Sequence, residues 1–265
     1  MRRGADKPNW PFTFNGNCQL ARSGPPVYYF TGGVPGSSFM LDLAGGSNHG
    51  ILATNGVGTV PTWKFGNGGG NAIFLPGSPG NRVQPRVTLT NIQGNVPVTV
   101  ALWAKHALTA NGLVYEVYCN FGDDAANKEI FLARNPTGQA YFEFGAGAGA
   151  VTGTTTLAAG VWYHICAVYT GAATFLYING VQEGTTAYSA ANIGNTQASF
   201  GAYKNAGVYI LEMAGLIEEI PVFKRALSAN EVWQLYDRKT RWQFRWQSNP
   251  LILSRSGGGI FAPGG

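Results

Sequence analysis

Charge is scarce in this sequence. Only 12% of its 265 residues are Asp, Glu, Lys or Arg, about half the ~25% share of an average domain. Glu, Lys, Arg and Leu are too few for a coiled coil or a helical repeat. Cysteine is also rare: Cys18, Cys119 and Cys166 are far apart and odd in number. With no Cys-x-x-Cys pair, neither a disulfide framework nor a zinc site is expected. No run approaches the ~18 apolar residues of a membrane span. The basic start, Met1 to Lys7, is not followed by the roughly 7–15 apolar residues of a secretion signal. These absences point to synthesis in a reducing cytoplasm, with no membrane partner. Glycine, by contrast, is plentiful (38 residues), and 45% hydrophobic with 13% aromatic content is enough to bury a core. The glycines have no three-residue period, which excludes collagen. This composition suits one large all-β domain.

The charge is unevenly placed. Residues 1–25 hold Arg2, Arg3, Lys7 and Arg22 against Asp6, and residues 238–265 hold Arg238, Lys239, Arg241, Arg245 and Arg255 with no acid. The stretch between is net acidic. The basic excess therefore belongs to the ends, where it commonly meets an acidic partner.

Strand signals recur along the middle. Val98 to Trp103 alternates, and Val161 to Tyr169 is apolar on both faces, as in a central strand. Asn179-Gly180 between two apolar runs predicts a tight hairpin. Further strands are expected at 39–43, 50–53, 62–65, 72–75, 113–118, 129–133, 140–144 and within 209–223. One helix is signalled at 228–236. Ser228 suits the N-cap and Glu231 the third helical position, with Leu227 and Val232 as a hydrophobic staple. Three parts follow: an arm over 1–37 with one strand near Val27–Thr31, a sandwich over 38–236, and a basic tail over 237–265. In the tail, Trp242, Phe244 and Trp246 alternate with Arg241, Gln243 and Arg245. Such aromatics are expected to dock against the protein's own domain or a neighbour.

Four segments carry a family resemblance: Leu41 to Gly50, Trp63 to Phe74, Trp162 to Gly180, and Gly215 to Val232. Together, in this order, they resemble the laminin-G-like, concanavalin A-like lectin/glucanase jelly roll. The resemblance implies a two-sheet antiparallel sandwich with one short C-terminal helix. It also implies a structural calcium ion held by Asp42, Asn48 and a Glu218 or Glu219 carboxylate. The alternative is that Asp42 and Asn48 simply cap a tight turn. Leu43 and Ala44 depart from the small hydroxyl residues usual there. Hydrolysis on such a sandwich would call for paired carboxylates about 5–5.5 Å apart, usually as Glu-x-Asp-x-x-Glu on one strand. That pattern is absent. Glu116, Glu143 and Glu212 stand alone, while Asp123-Asp124 and Glu218-Glu219 are adjacent and should face opposite sides of a strand. No Gly-x-Ser-x-Gly elbow is present. A non-enzymatic protein is expected.

For glycan binding, an aromatic platform with amide donors is needed, and Tyr188, Tyr203 and Asn205 are the candidates, with Asn192 and Asn195 nearby. The acidic body argues against nucleic acid. The Arg/Trp-rich end also resembles tails of such proteins in tailed bacteriophages and prophages. It implies a virion protein, displayed as a homo-oligomer on capsid or tail and anchored by Arg241, Trp242, Phe244, Arg245 and Trp246. The alternative is a carbohydrate-binding lectin module for adhesion.

Overall fold

The computed structural model describes residues 24–31, 36–44, 48–67, 71–86, 88–110, 112–122, 125–194 and 198–241. Among them the chain runs β1 (Tyr28–Thr31), β2 (Phe39–Asp42), β3 (Gly50–Ala53), β4 (Thr62–Phe65), β5 (Asn71–Pro76) and β6 (Arg82–Pro85). It continues through β7 (Val98–His106), β8 (Glu116–Gly122), β9 (Glu129–Arg134), β10 (Gln139–Glu143), β11 (Val151–Thr156), β12 (Trp162–Tyr169), β13 (Ala173–Ile178) and β14 (Val181–Ala187). Last come β15 (Ser199–Phe200), β16 (Tyr203–Asn205), β17 (Val208–Ile210), β18 (Ala214–Glu218), β19 (Ile220–Phe223) and the helix α1 (Ala229–Tyr236).

Two antiparallel layers form. In the first, β14, β13, β12 and β7 lie side by side, and β7 then pairs with both β18 and β19. Beyond β18 lie β5 and β4, and beyond β19 lies β1. The second layer runs β3, β6, β15, β8, β9, β10, β11. Strand β2 joins the layers by pairing with β1 and with β3. This is the expected jelly-roll sandwich. Its β1 falls within the stretch that the sequence assigns to the arm, yet it is fully buried between β19 and β2. The sandwich therefore starts before residue 38.

The alternation of β12 sorts its side chains as expected. Ile165, Ala167 and Tyr169 enter the core between the layers, with Phe30, Leu102, Phe142, Leu176 and Phe200. Cys166 and Val168 face outward, under α1, with Tyr29, Ala101, Leu227, Val232 and Leu235. Ser228 Oγ accepts the Glu231 N–H and Glu231 returns the bond, a complete capping box. Asn179 and Gly180 both take positive φ, 51° and 79°, as the predicted turn requires.

One expected strand is divided. The 209–223 segment contributes β17, β18 and β19, with a bulge at Glu219 (φ 58°). Glu218 sits opposite Trp103 and Val222 opposite Val100, so one residue is extra on this side.

Candidate functional site

Of the four expected metal ligands, Asp42 and Asn48 meet, and Glu218 and Glu219 are not grouped with Asp42. Asp42 is buried, and Oδ1 accepts the N–H groups of Tyr29 (2.9 Å) and Ala44 (3.1 Å). Its Oδ2 accepts from Asn48 Nδ2 at 3.0 Å. Asp42 and Asn48 therefore meet as a turn lock tying β1 to β2. Glu218 Oε2 instead accepts the Asn67 N–H at 3.0 Å. Glu219 lines a narrow void with Tyr29, Trp103, His164 and Arg241. The bulge places Glu219 on the side of Trp103, which corrects the expectation that Glu218 and Glu219 face opposite ways. Among the described residues no three His, Cys, Asp or Glu side chains are grouped to hold a metal ion.

Of the anchoring residues, Arg241 docks on its own domain. It is 3% exposed, and its guanidinium lies 4.6 Å from the centre of the Trp103 ring. Burial lowers its pKa, which the charge of Glu218 opposes. Trp242, Phe244, Arg245 and Trp246 lie outside the described residues. His164, also beneath α1, is pushed down to about 3 by burial and by Arg241, so it is neutral.

The glycan candidates also separate. Tyr188 stacks on Phe144 (5.3 Å, 19°) and bonds Asn127, so it serves the core rim. Asn205 is exposed at the β16–β17 hairpin. Tyr203 alone joins an aromatic surface, the outer face of β8, β9 and β10. There Phe131 is ringed by Tyr115 (5.7 Å), Tyr141 (6.3 Å) and Tyr203 (5.3 Å), all edge-on. Beneath them lie Val117 and Ala133, and all three tyrosines are half-buried. The reason is strand alternation: in Gln139-Ala140-Tyr141-Phe142-Glu143, Ala140 and Phe142 face the core and the other three face out. Tyr141 donates to Glu143 Oε2 at 2.5 Å, and Gly147 N–H donates to the same oxygen at 2.8 Å. Burial, and then Glu143, raise the Tyr141 pKa, so the hydroxyl keeps its proton. Thr152 and Thr156 stand opposite Tyr141 and Gln139 and are exposed. Tyr203 leans on Glu129, which Asn120 Nδ2 also bonds at 3.0 Å. Tyr115 and Tyr141 were missed from the sequence. The outward tyrosine of an alternating strand was the signal.

At the edge of this face a cavity of about 340 Å³ opens at one end of the sandwich. Glu116, Arg134 and Glu212 supply its charged groups, and Leu108, Val114 and Leu211 its aliphatic walls. Arg134 is 1% exposed; it donates to Leu108 O at 2.9 Å and pairs with Glu116. His106 lies between Glu116 (Nδ1, 3.2 Å) and the Tyr118 hydroxyl (Nε2, 2.8 Å). Burial alone would raise the Glu116 carboxyl, but His106, Arg134 and the Ala214 N–H outweigh it and hold it low. Burial lowers the His106 pKa, against the pull of Glu116.

The sequence matches the family model of the concanavalin A-like lectin/glucanase superfamily over residues 45–233. The chain belongs to this superfamily. A search of curated proteins returns no match. Among solved structures, domain 4 of the extracellular arabinanase AbnA from Geobacillus stearothermophilus, in complex with arabinotriose, superposes with a TM-score of 0.62 at 17% identity. That match covers 80% of this chain and 98% of the other. The binding domain of Paraclostridial Mosquitocidal Protein 1 gives 0.61 at 16%, covering 83% and 53%. The binding domain of botulinum neurotoxin serotype G gives 0.55 at 9%, covering 80% and 50%. The chain thus spans about half the length of the two toxin domains. At these identities the likeness is one of fold.

The superfamily's name spans lectins and glucanases. A general acid needs a carboxyl held protonated near neutral pH. Glu116 is driven the other way by its buried ion pair. No helix among the described residues is long and apolar enough to cross a membrane.

Proposed function

We propose that this protein is a carbohydrate-binding domain without hydrolytic activity, holding glycan on the outer face of β8 to β11. One observation carries this reading: Tyr115, Tyr141 and Tyr203 stay half-exposed around Phe131, beside Glu143, Gln139 and Thr152. A sugar ring has apolar C–H faces and a rim of hydroxyls, so it needs an aromatic surface with hydrogen-bonding groups at its border. The open face supplies both. A glycan array run with the full chain and with Tyr141→Ala tests it. Binding that disappears in the variant supports the reading, and no binding by the unaltered chain defeats it.

A second reading rests on the ends. Gly24 O accepts from Arg225 Nε at 3.2 Å, and Arg241 sits on Trp103. Both described ends thus lie on the side of α1, away from the tyrosines. We propose that the basic ends hold copies of the domain on a larger particle, as a decoration protein of a bacteriophage capsid or tail. Deleting 242–265 should leave the sandwich folded and abolish attachment to purified particles. Absence of the protein from every particle preparation would remove this reading.

A further inference from the structure

The cavity at the sandwich end adjoins the tyrosine face. Leu211 packs against the tyrosine cluster and also lines the cavity. Tyr115 stands between Val114 and Glu116, two more lining residues. The Leu211 carbonyl accepts the Val117 N–H at 3.0 Å, fixing this wall to β8.

The chemistry of the floor is specific. Arg134 spends Nη1 on Leu108 O and Nη2 on Glu116. Its positive charge is therefore neutralised within the wall, and its Nε–H has no acceptor among the described residues. Glu212 receives the Gly80 N–H on Oε1 at 2.5 Å and adds one negative charge. The space thus offers acceptors and a net negative field, between aliphatic walls. It repels carboxylated or sulfated sugars and suits hydroxyls, which can donate to a carboxylate while their C–H faces lie on leucine and valine. A volume of about 340 Å³ is near the lower end of the ~300–1,000 Å³ range of ligand pockets, enough to take a sugar ring from the end of a chain.

Resting on the carbohydrate-binding reading, we infer that this cavity receives the terminal residue of a neutral glycan whose next units lie on the tyrosines. The domain then recognises chain ends rather than chain interiors.

The test uses the full chain and short neutral oligosaccharides with either a free or a blocked non-reducing end. Thr109 is exposed and lines the cavity, so Thr109→Trp plugs it without touching the core. Glu212→Gln removes the charge and keeps an acceptor for Gly80. We expect Thr109→Trp to weaken binding of free-ended oligosaccharides at least tenfold, and blocking the end to do the same to the unaltered protein. Glu212→Gln should raise relative binding of uronic-acid-ended chains. If Thr109→Trp binds as the unaltered chain does while Tyr141→Ala does not, the cavity inference is overturned and the carbohydrate reading stands. If Tyr141→Ala also binds normally, or no glycan is held at all, the carbohydrate reading fails and the cavity inference with it. Tighter binding of acidic than neutral ends by the unaltered protein overturns the inference alone.

Discussion

The two outer faces of the sandwich are treated in opposite ways. Over β7 and β12, α1 buries Leu227, Val232 and Leu235 against Ala101, Cys166 and Val168, and Arg241 closes over Trp103. Over β8, β9 and β10 the cover among the described residues is the β16–β17 hairpin with Leu211, and three tyrosines remain half-exposed. Both faces are rich in rings, so aromatic content does not separate them. What separates them is whether the chain spends a further element on sealing the face. A sealed face contributes stability, whereas an open aromatic face forgoes that burial and keeps a surface for ligand.

Substitutions should divide along this line. The largest loss is expected from Leu235→Ala, about 3 kcal/mol from the vacated space beneath α1. Thermal unfolding should fall by roughly 10 °C, at ~2–4 °C per kcal/mol for a domain of this size, with glycan binding unchanged. Acid should act next, through the same sealed face. His164 is neutral when folded, down to about pH 3, but in the unfolded chain it takes up a proton below about 6.5. Stability should therefore be full above pH 6.5 and fall below it by about 1.4 kcal/mol per pH unit. Denaturant midpoints at several pH values read this, and His164→Gln should flatten the slope. Burial of His106 adds to the fall in the same direction.

On the open face the expectation reverses. Tyr141→Ala should cost at least tenfold in glycan affinity, about 1.4 kcal/mol, while the unfolding temperature moves by only a few degrees. A large fall in stability without lost binding would place Tyr141 with the sealed face and break the comparison. Ser228→Ala, which opens the capping box of α1, should cost about 1 kcal/mol and leave the open face untouched. The smallest effect is expected from a chelator. The Asp42 oxygens are already engaged by N–H groups, so melting curves with and without it should overlay; a downward shift would show a bound cation contributing to the fold.

The sealed face was readable in the sequence because its signals are local. Ser228 and Glu231 stand three apart, Asn179-Gly180 is a dipeptide, and the doubly apolar run of β12 announces cover on both sides. The open face was not readable in the same way. Tyr141 lies on an alternating strand, but which of its two faces meets the other sheet depends on the whole topology. The pairing of Glu116 with Arg134 arises only once β8 and β9 are in register. β11 is one valine, one glycine and four threonines and has little apolar signal. The bulge at Glu219 follows from a register mismatch with β7 that no window of sequence contains.

The position of Arg241 has a consequence for orientation. Its guanidinium is fixed on Trp103, and Gly24 is held by Arg225 beside Phe223. Both described ends therefore leave the sandwich on the helix side. A partner bound against Gly24 or Arg241 would face the covered sheet and leave the tyrosines on the far side. Among the described residues the molecule thus has two unlike sides, one closed by α1 and one left open.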